Sequence, residues 1–197
     1  MGELMPAATV PKNAIATGPG YLYIGAVGVT LPTNTVAGSV FTDTWPVGWS
    51  LLGVTKDGHT WNYTINTDQI MAAEYFDPLQ IVTTGRAASV TFELMQISAT
   101  TFTKALNGGV LTPSGSGATQ LNTYTPPAAG AEVRCAIGWE AQDNTERFVF
   151  EQAFQTGTLA VARKKGVDNA TIPVEFSAEL PASGFPFRYW TAGTVRA

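Results

Sequence analysis

Few residues of this 197-residue chain could support enzyme chemistry. His59 is the one histidine, so a Ser-His-Asp triad would have to use it. It follows an Asp57-Gly58 pair that predicts a tight hairpin turn, where an imidazole would be exposed. Cys135 is the one cysteine and lies in an apolar run, which is typical of a small buried residue. Neither side chain has the local spacing of zinc ligands, and a single cysteine cannot form an intramolecular disulfide.

The remaining candidate motifs are weak. Glu175 and Glu179 share a face of a predicted strand, and glycosidases use carboxylate pairs, but two such glutamates are more often simply solvated. Gly115-Ser116-Gly117 lies in a predicted loop, whereas a phosphate-binding glycine motif leads into a helix. We therefore expect a protein that is not an enzyme and that needs no metal or cofactor.

The composition narrows the classes of function that remain possible. Charged residues make up 13% of the chain, whereas about 25% is usual, and this depletion favours a surface covered by neighbouring subunits. The net charge of −4 lacks the basic excess that nucleic-acid binding requires, and the one basic run is Arg163-Lys164-Lys165. No apolar run is long enough to span a membrane, and residues 1–20 do not resemble a signal peptide. We expect neither a membrane segment nor secretion.

Two predicted strands, within residues 59–67 and 86–97, have one apolar and one polar face because their side chains alternate with a period of two. We expect the apolar set to face the core: Trp61, Tyr63, Ile65, Val90, Phe92 and Leu94. The polar set then faces water: Thr60, Asn62, Thr64, Asn66, Ser89, Thr91 and Glu93. A later strand adds Glu175 and Glu179 to the polar candidates.

The other elements predict a mainly β chain that forms one domain. Further strands are expected at 21–29, 49–55, 132–140, 147–154, 158–163 and 170–180, with a hairpin turn at 56–59. Pro173 places its strand at an edge or makes it start late. Ser98 can cap a short helix that ends at Asn107, before a glycine pair. The rest is expected to be an N-terminal arm at 1–20, a long loop at 31–48, a long loop or hairpin at 68–85, a loop at 110–130 and a C-terminal strand or arm at 185–197. These elements predict a β-sandwich or partial barrel with one short flanking helix.

A series of short motifs in a fixed order resembles the major tail tube protein of long-tailed, siphovirus-type bacteriophages. The motifs are Leu52-Gly53-Val54-Thr55-Lys56-Asp57-Gly58, Asn66-Thr67-Asp68, Asp77-Pro78, Thr83-Thr84-Gly85-Arg86, Val90-Thr91-Phe92-Glu93-Leu94, Phe102 to Leu106, Asn107-Gly108-Gly109 and a late strand-turn-strand from Leu159 to Phe176. The resemblance covers about two-thirds of the chain, excluding the arms and the 110–130 loop.

The resemblance implies hexameric rings that stack into a hollow tube, with strands from six subunits closing an inner barrel through which DNA passes without specific binding. Its implied partners are other copies of the chain and the tape-measure, tail-terminator and distal tail proteins. It implies a place in the virion tail after assembly in the host cytoplasm. In such a tube the polar set, with Glu175 and Glu179, would line the channel. The alternative is that this face lies on the tube exterior or in a subunit interface. Arg163, Lys164 and Lys165, together with segments 1–20, 31–48 and 68–85, would contact the next ring.

Two other functions stay open on the sequence alone. One is a different virion part, either a tail-terminator ring or a capsid decoration protein. The other is a carbohydrate-binding β-sandwich, for which Trp45, Trp49 and Trp190 could supply an aromatic platform, although packing at an interface is the commoner use of such residues.

Overall fold

The computed structural model describes residues 19–161 and 170–193, which form twelve strands, one α-helix and one 3₁₀ turn. The strands are β1 Gly20–Ala26, β2 Val36–Ala37, β3 Val40–Phe41, β4 Ser50–Leu51, β5 Thr55–Ile70, β6 Gln80–Leu94, β7 Val110–Ser114, β8 Leu121–Thr125, β9 Cys135–Ala141, β10 Glu146–Gln155, β11 Ile172–Ala178 and β12 Phe187–Thr191. The helix α1 is Ala99–Ala105, and the 3₁₀ turn is Gly117–Thr119. The prediction of a mainly β fold with one short helix is confirmed.

One antiparallel sheet contains eight of these strands. Its main path is β4-β1-β9-β10-β11-β6-β5, and β12 also pairs with β10. The first half of β10 pairs with β12, whereas its last three residues, from Ala153 to Gln155, pair with β11. The pairing of β10 with β9 shifts register between Phe150 and Ala153. A strand that changes partner at such an irregularity bends the sheet.

The bend brings β5, at one end of the sheet, face to face with β9 and β10 over one core. His59 and Trp61 of β5 contact Trp139 and Phe148 of β9 and β10, with ring centroids 4.8 and 6.2 Å apart. Val90, Ile137, Phe150 and Phe176, from four different strands, are fully or almost fully buried between these layers. The result is a sandwich-like partial barrel whose described strands do not close into a ring.

The predicted hairpin turn at residues 56–59 is wrong. β5 runs through this segment without reversing, and its pairing with β6 shifts between Thr55 and His59. Gly58 has a φ of 83°, so the Asp-Gly pair supplies its left-handed residue to a bulge instead of a turn. His59 is consequently half-buried against Trp139, and the expectation of an exposed turn histidine is also wrong.

Three further expectations change in the structure. The predicted loop at 110–130 contains the β7–β8 hairpin, a separate two-stranded sheet. Residues 158–161, the described part of a predicted strand, are not in a strand. Pro173 does not place its strand at an edge, because β11 lies between β6 and β10. At Pro173 β11 pairs only with β6, and it pairs with β10 only from Phe176 onward. The missing backbone donor therefore removes no hydrogen bond to β10.

The helix forms where its caps predict it. The backbone N–H of Thr101 donates to the Ser98 hydroxyl at 3.1 Å, which satisfies one of the free donors of the first turn. Asn107 takes a left-handed φ of 54° after the helix, and its amide exchanges two hydrogen bonds with the backbone of Gln155 on β10. Ala105 packs into the core, so the helix covers one end of the sheet.

The long segment 31–48 is fastened to the sheet by a cluster around Arg147. We call Arg147, Asp43, Glu140, Asn34 and Trp45 the Arg147 cluster. The Arg147 side chain is 1% exposed and forms ion pairs with Asp43 at 3.0 Å and with Glu140 at 2.5 Å. It also donates to the Asn34 amide oxygen, while Trp45 Nε1 donates to Glu140 at 2.8 Å. These bonds hold a segment that contains only two-residue strands against β9 and β10.

Candidate assembly surfaces

The polar residues predicted for β5, β6 and β11 lie side by side on one face of the sheet. Thr60 is directly opposite Thr91, which is in turn opposite Glu175. In the next row Asn62 is opposite Ser89. Since directly opposite residues point to the same side of an antiparallel sheet, this polar face is three strands wide.

A depression of about 360 Å³ lies on the polar face. Its lining includes the carboxylates of Asp57, Glu93 and Glu175 together with the hydroxyls of Thr60 and Thr91. None of the described residues that line it is a lysine or an arginine. The depression therefore presents negative charge and small neutral groups, a surface that would repel another anion.

The outer candidates of the polar set lie in different surroundings. Thr64 and Asn66 are opposite Ala87 and Gly85, beyond the part of β6 that pairs with β11. Glu179 follows β11, and its carboxylate accepts hydrogen bonds from Gln152 at 2.8 Å and from Arg134 at 3.1 Å. These bonds hold the pKa of Glu179 below its ordinary value and pair its charge with a cation. Glu179 thus adds less negative potential than the sequence alone indicates.

The residues predicted for the apolar face are buried on β6 but exposed on β5. Val90, Phe92 and Leu94 of β6 are buried, as their alternation predicts. On β5, Trp61 and Tyr63 contact Phe187 but remain 41% exposed each. Ile65 is 52% exposed, so the expectation that these three residues of β5 are buried in the core is wrong.

The outer parts of β5 and β6 project as a two-stranded hairpin. We call residues 63–87 the hairpin arm, because among the described strands β6 has only β5 as a neighbour in this stretch. Large apolar side chains are exposed along it: Tyr63, Ile65, Ile70, Met71, Tyr75, Phe76, Leu79, Ile81 and Val82. A lone two-stranded hairpin is marginal in water, and a cluster of exposed apolar side chains marks an interaction surface.

The outer edge of β5 has no strand partner among the described residues, although β5 is 16 residues long. The opposite end of the sheet is β4, which has only two residues. A long edge strand presents unpaired N–H and C=O groups on which another chain can add a strand. The alternating sequence indicated a strand here but not that its outer edge is free, since edge position depends on strand order.

Other candidates from the sequence are engaged within the domain or lie outside the described residues. Trp45 stacks on Tyr23 with centroids 4.3 Å apart, and Trp49 Nε1 donates to the Thr30 carbonyl at 2.9 Å. These contacts argue against a free aromatic platform for sugars. The basic run 163–165 and most of the 1–20 arm fall outside the described residues.

No three His, Cys, Asp or Glu side chains within 19–161 and 170–193 are placed to hold a metal ion. In the same ranges, no helix has the length and hydrophobicity needed to cross a membrane. Burial raises the pKa of the Cys135 thiol to about 12, which keeps it protonated and unreactive at neutral pH.

Comparison with known proteins gives one match, and it spans nearly the whole chain. No curated protein matches the sequence. Residues 7–192 match the family model described as phage tail tube protein, a range that includes the polar face, the hairpin arm and the Arg147 cluster. The chain therefore belongs to the phage tail tube protein family and is a structural component of a phage tail.

Proposed function

We propose that copies of this chain form six-fold rings that stack into a hollow tail tube through which DNA passes. The observation that carries the proposal is the polar face, which is three strands wide and has a depression whose described lining residues include three carboxylates and neither lysine nor arginine. The six-fold count and the stacking come from the resemblance to siphovirus-type tail tube proteins.

The polar face has the chemistry that a DNA channel requires. A lysine or arginine on the wall would displace counterions from passing phosphates and hold them. Thr60, Asn62, Ser89 and Thr91 offer only weak neutral contacts, and Glu93 and Glu175 repel phosphates. DNA can therefore slide along such a wall without a binding step. The outer candidates Thr64, Asn66 and Glu179 would extend the same wall.

The free edge of β5 supports closure of a ring. In a ring of identical copies, this edge would pair with a strand of the neighbouring subunit and the channel wall would become continuous. Closure would satisfy the exposed backbone groups and remove an edge that otherwise invites uncontrolled association.

Contacts between rings would come from the protruding segments. The hairpin arm, which contains residues 68–85, carries most of the exposed apolar surface of the sheet. The 31–48 segment is fastened by the Arg147 cluster but leaves Val36 and Val47 exposed. The 1–20 arm is a further candidate, and Arg163, Lys164 and Lys165 would meet acidic residues of the next ring. Tape-measure, terminator and distal tail proteins would set the length and ends of the tube during assembly in the host cytoplasm.

Electron microscopy of the purified protein, alone and with its tape-measure protein, tests the proposal. We expect hollow tubes built from six-fold rings. Single rings that never stack would instead identify a terminator, and decoration of capsids would identify a capsid protein. Sedimentation that shows only monomer at high concentration, with tape-measure protein and chaperones present, would contradict self-assembly.

A further inference from the structure

A groove lies at the base of the hairpin arm, on the side of the sheet opposite the polar face. Its volume is about 600 Å³, and its lining includes Tyr63, Leu180, Phe185 and Phe187. Leu180 is 75% exposed and Phe185 is 59% exposed. None of the described residues covers these side chains, so the groove presents apolar surface to solvent.

Two arginines border this groove. Arg86 lines it and forms no ion pair with any described residue. Arg188 pairs with Glu151 and lies over the Phe185 ring, with its guanidinium carbon 4.9 Å from the ring centroid. The contact between Arg188 and the Phe185 ring holds that ring in place at the wall of the groove. Arg86 remains available to an acidic partner.

The tip of the hairpin arm has the complementary chemistry. Phe76 is fully exposed, and Tyr75 and Leu79 are mostly exposed beside it. Glu74 and Asp77 flank Phe76 in the sequence. Backbone hydrogen bonds from Tyr75 N–H to Ala72 O and from Leu79 N–H to Ile70 O hold the turn that presents this ring. The tip is therefore an apolar knob with two negative charges, and the groove is an apolar cleft with one unpaired positive charge.

The tip cannot reach the groove of its own chain. Seven residues of extended β6, from Gln80 to Arg86, separate them, which corresponds to about 20 Å at the usual rise of a strand. A contact between tip and groove must therefore join two copies through different surfaces, and such a heterologous contact repeats into a ring or an open stack.

We propose that the arm tip of one copy, residues 74–79, docks in the groove at the base of the arm of a second copy. Phe76 fills the cleft between Leu180 and Phe185, and Glu74 and Asp77 face Arg86. The inference rests on the proposed self-assembly and names the surface that receives the arm. Each arm would then extend from its own sheet to the groove at the base of the arm of the second copy. The length of the arm would therefore set the distance between the two joined copies.

Disulfide trapping tests the contact directly. Phe76→Cys and Leu180→Cys are made in separate chains, mixed, assembled and oxidised. Cys135 is partly buried and its pKa is raised, so the native thiol gives a low background. We expect a covalent dimer that requires both variants. Leu121→Cys, at a similarly exposed position on β8 outside the groove, replaces Leu180→Cys in the control and should give no dimer above the single-variant background.

A charge exchange provides a second test that does not depend on cysteine. Glu74→Arg or Arg86→Glu alone should raise the protein concentration needed for assembly by about tenfold, and the two changes together should restore most of the loss. Tubes that form without the Phe76–Leu180 dimer, or a double exchange no better than its parents, would overturn the docking site and leave the tube function standing. Monomer without tubes in the unmodified protein would overturn both.

Discussion

The Arg147 cluster and the hairpin arm place their charged and apolar groups in opposite ways. In the cluster, a buried guanidinium is surrounded by two carboxylates, an amide and the Phe41 ring, so its charge is satisfied inside one chain. In the arm, Phe76, Ile81 and other apolar side chains face solvent, and Arg86 forms no ion pair with a described residue. The cluster is complete in the monomer, whereas in the proposed assembly the arm is covered by a second chain. Substitutions in the first should therefore change folding, and substitutions at the tip of the second or in the groove at its base should change assembly.

Removing Arg147 should have the largest effect on the free energy of unfolding. Arg147→Met leaves the carboxylates of Glu140 and Asp43 partly buried without their cation, which costs about 3–5 kcal/mol. Urea unfolding of the monomer measures the loss. Arg188→Met is the matched control, because its ion pair with Glu151 is partly exposed and should contribute at most about 1 kcal/mol. Equal losses in the two variants would contradict the distinction between a buried and an exposed pair.

Asn107 follows the helix, precedes the β7–β8 hairpin and joins both to β10 through its side chain. Asn107→Ala removes both hydrogen bonds with Gln155 and places alanine at a left-handed φ, so we expect a loss of about 2–3 kcal/mol. Asn107→Gly removes the same bonds without the backbone strain and should lose about 1 kcal/mol less in urea unfolding. A glycine variant as unstable as the alanine variant would mean that the backbone conformation contributes nothing.

His59 should make the monomer sensitive to mild acid. Burial lowers the pKa of His59, so the unfolded chain binds a proton at a higher pH than the folded chain does. Its contribution to stability is complete above about pH 6.5, the ordinary histidine value, and is lost as the pH falls toward the lowered pKa. Because His59 is the one histidine of the chain, His59→Gln should flatten the dependence of unfolding free energy on pH between 7 and 5. An unchanged slope would assign the acid sensitivity to carboxylates.

Local patterns predicted the elements whose structure is decided by neighbouring residues. The alternation around Val90 and Phe92 predicted the buried face of β6, and Ser98 predicted the start of the helix. The Asp57-Gly58 pair misled because a left-handed glycine serves a bulge as well as a hairpin turn, and only the pairing with β6 distinguishes them. Residues 110–130 misled because their glycines and prolines hid two short strands.

Features that join distant parts of the chain could not be predicted from the sequence. Arg147 meets Asp43 across more than a hundred residues, and nothing near either residue indicates that pair. The position of β5 at the edge of the described sheet follows from strand order, which alternation does not determine. The polar face is an intermediate case. Alternation placed Thr60 and Thr91 on polar faces, but the cross-strand register was needed to align them with Glu175.

The smallest effect on folding should come from the polar face, where two lysines should change DNA passage instead. In Asn62→Lys/Thr64→Lys both substituted side chains are exposed on a strand, so the unfolding free energy should change by less than about 0.5 kcal/mol. Tubes should still form, because neither position lies on the arm tip or in the groove at its base. Each added cation can hold a phosphate and release about one counterion, so DNA should move more slowly and infectivity should fall.

The salt dependence of passage distinguishes this mechanism from simple blockage of the channel. Phosphate contacts weaken as salt rises, so the defect of the double-lysine variant should shrink at high ionic strength, whereas a steric block would persist. Thr112→Lys/Ser114→Lys is the matched control, since it places the same two charges two residues apart on an exposed strand outside the polar face. Normal DNA passage with lysines at Asn62 and Thr64 would remove these residues from the channel wall. An equal defect in the control would show that added charge acts elsewhere on the tube.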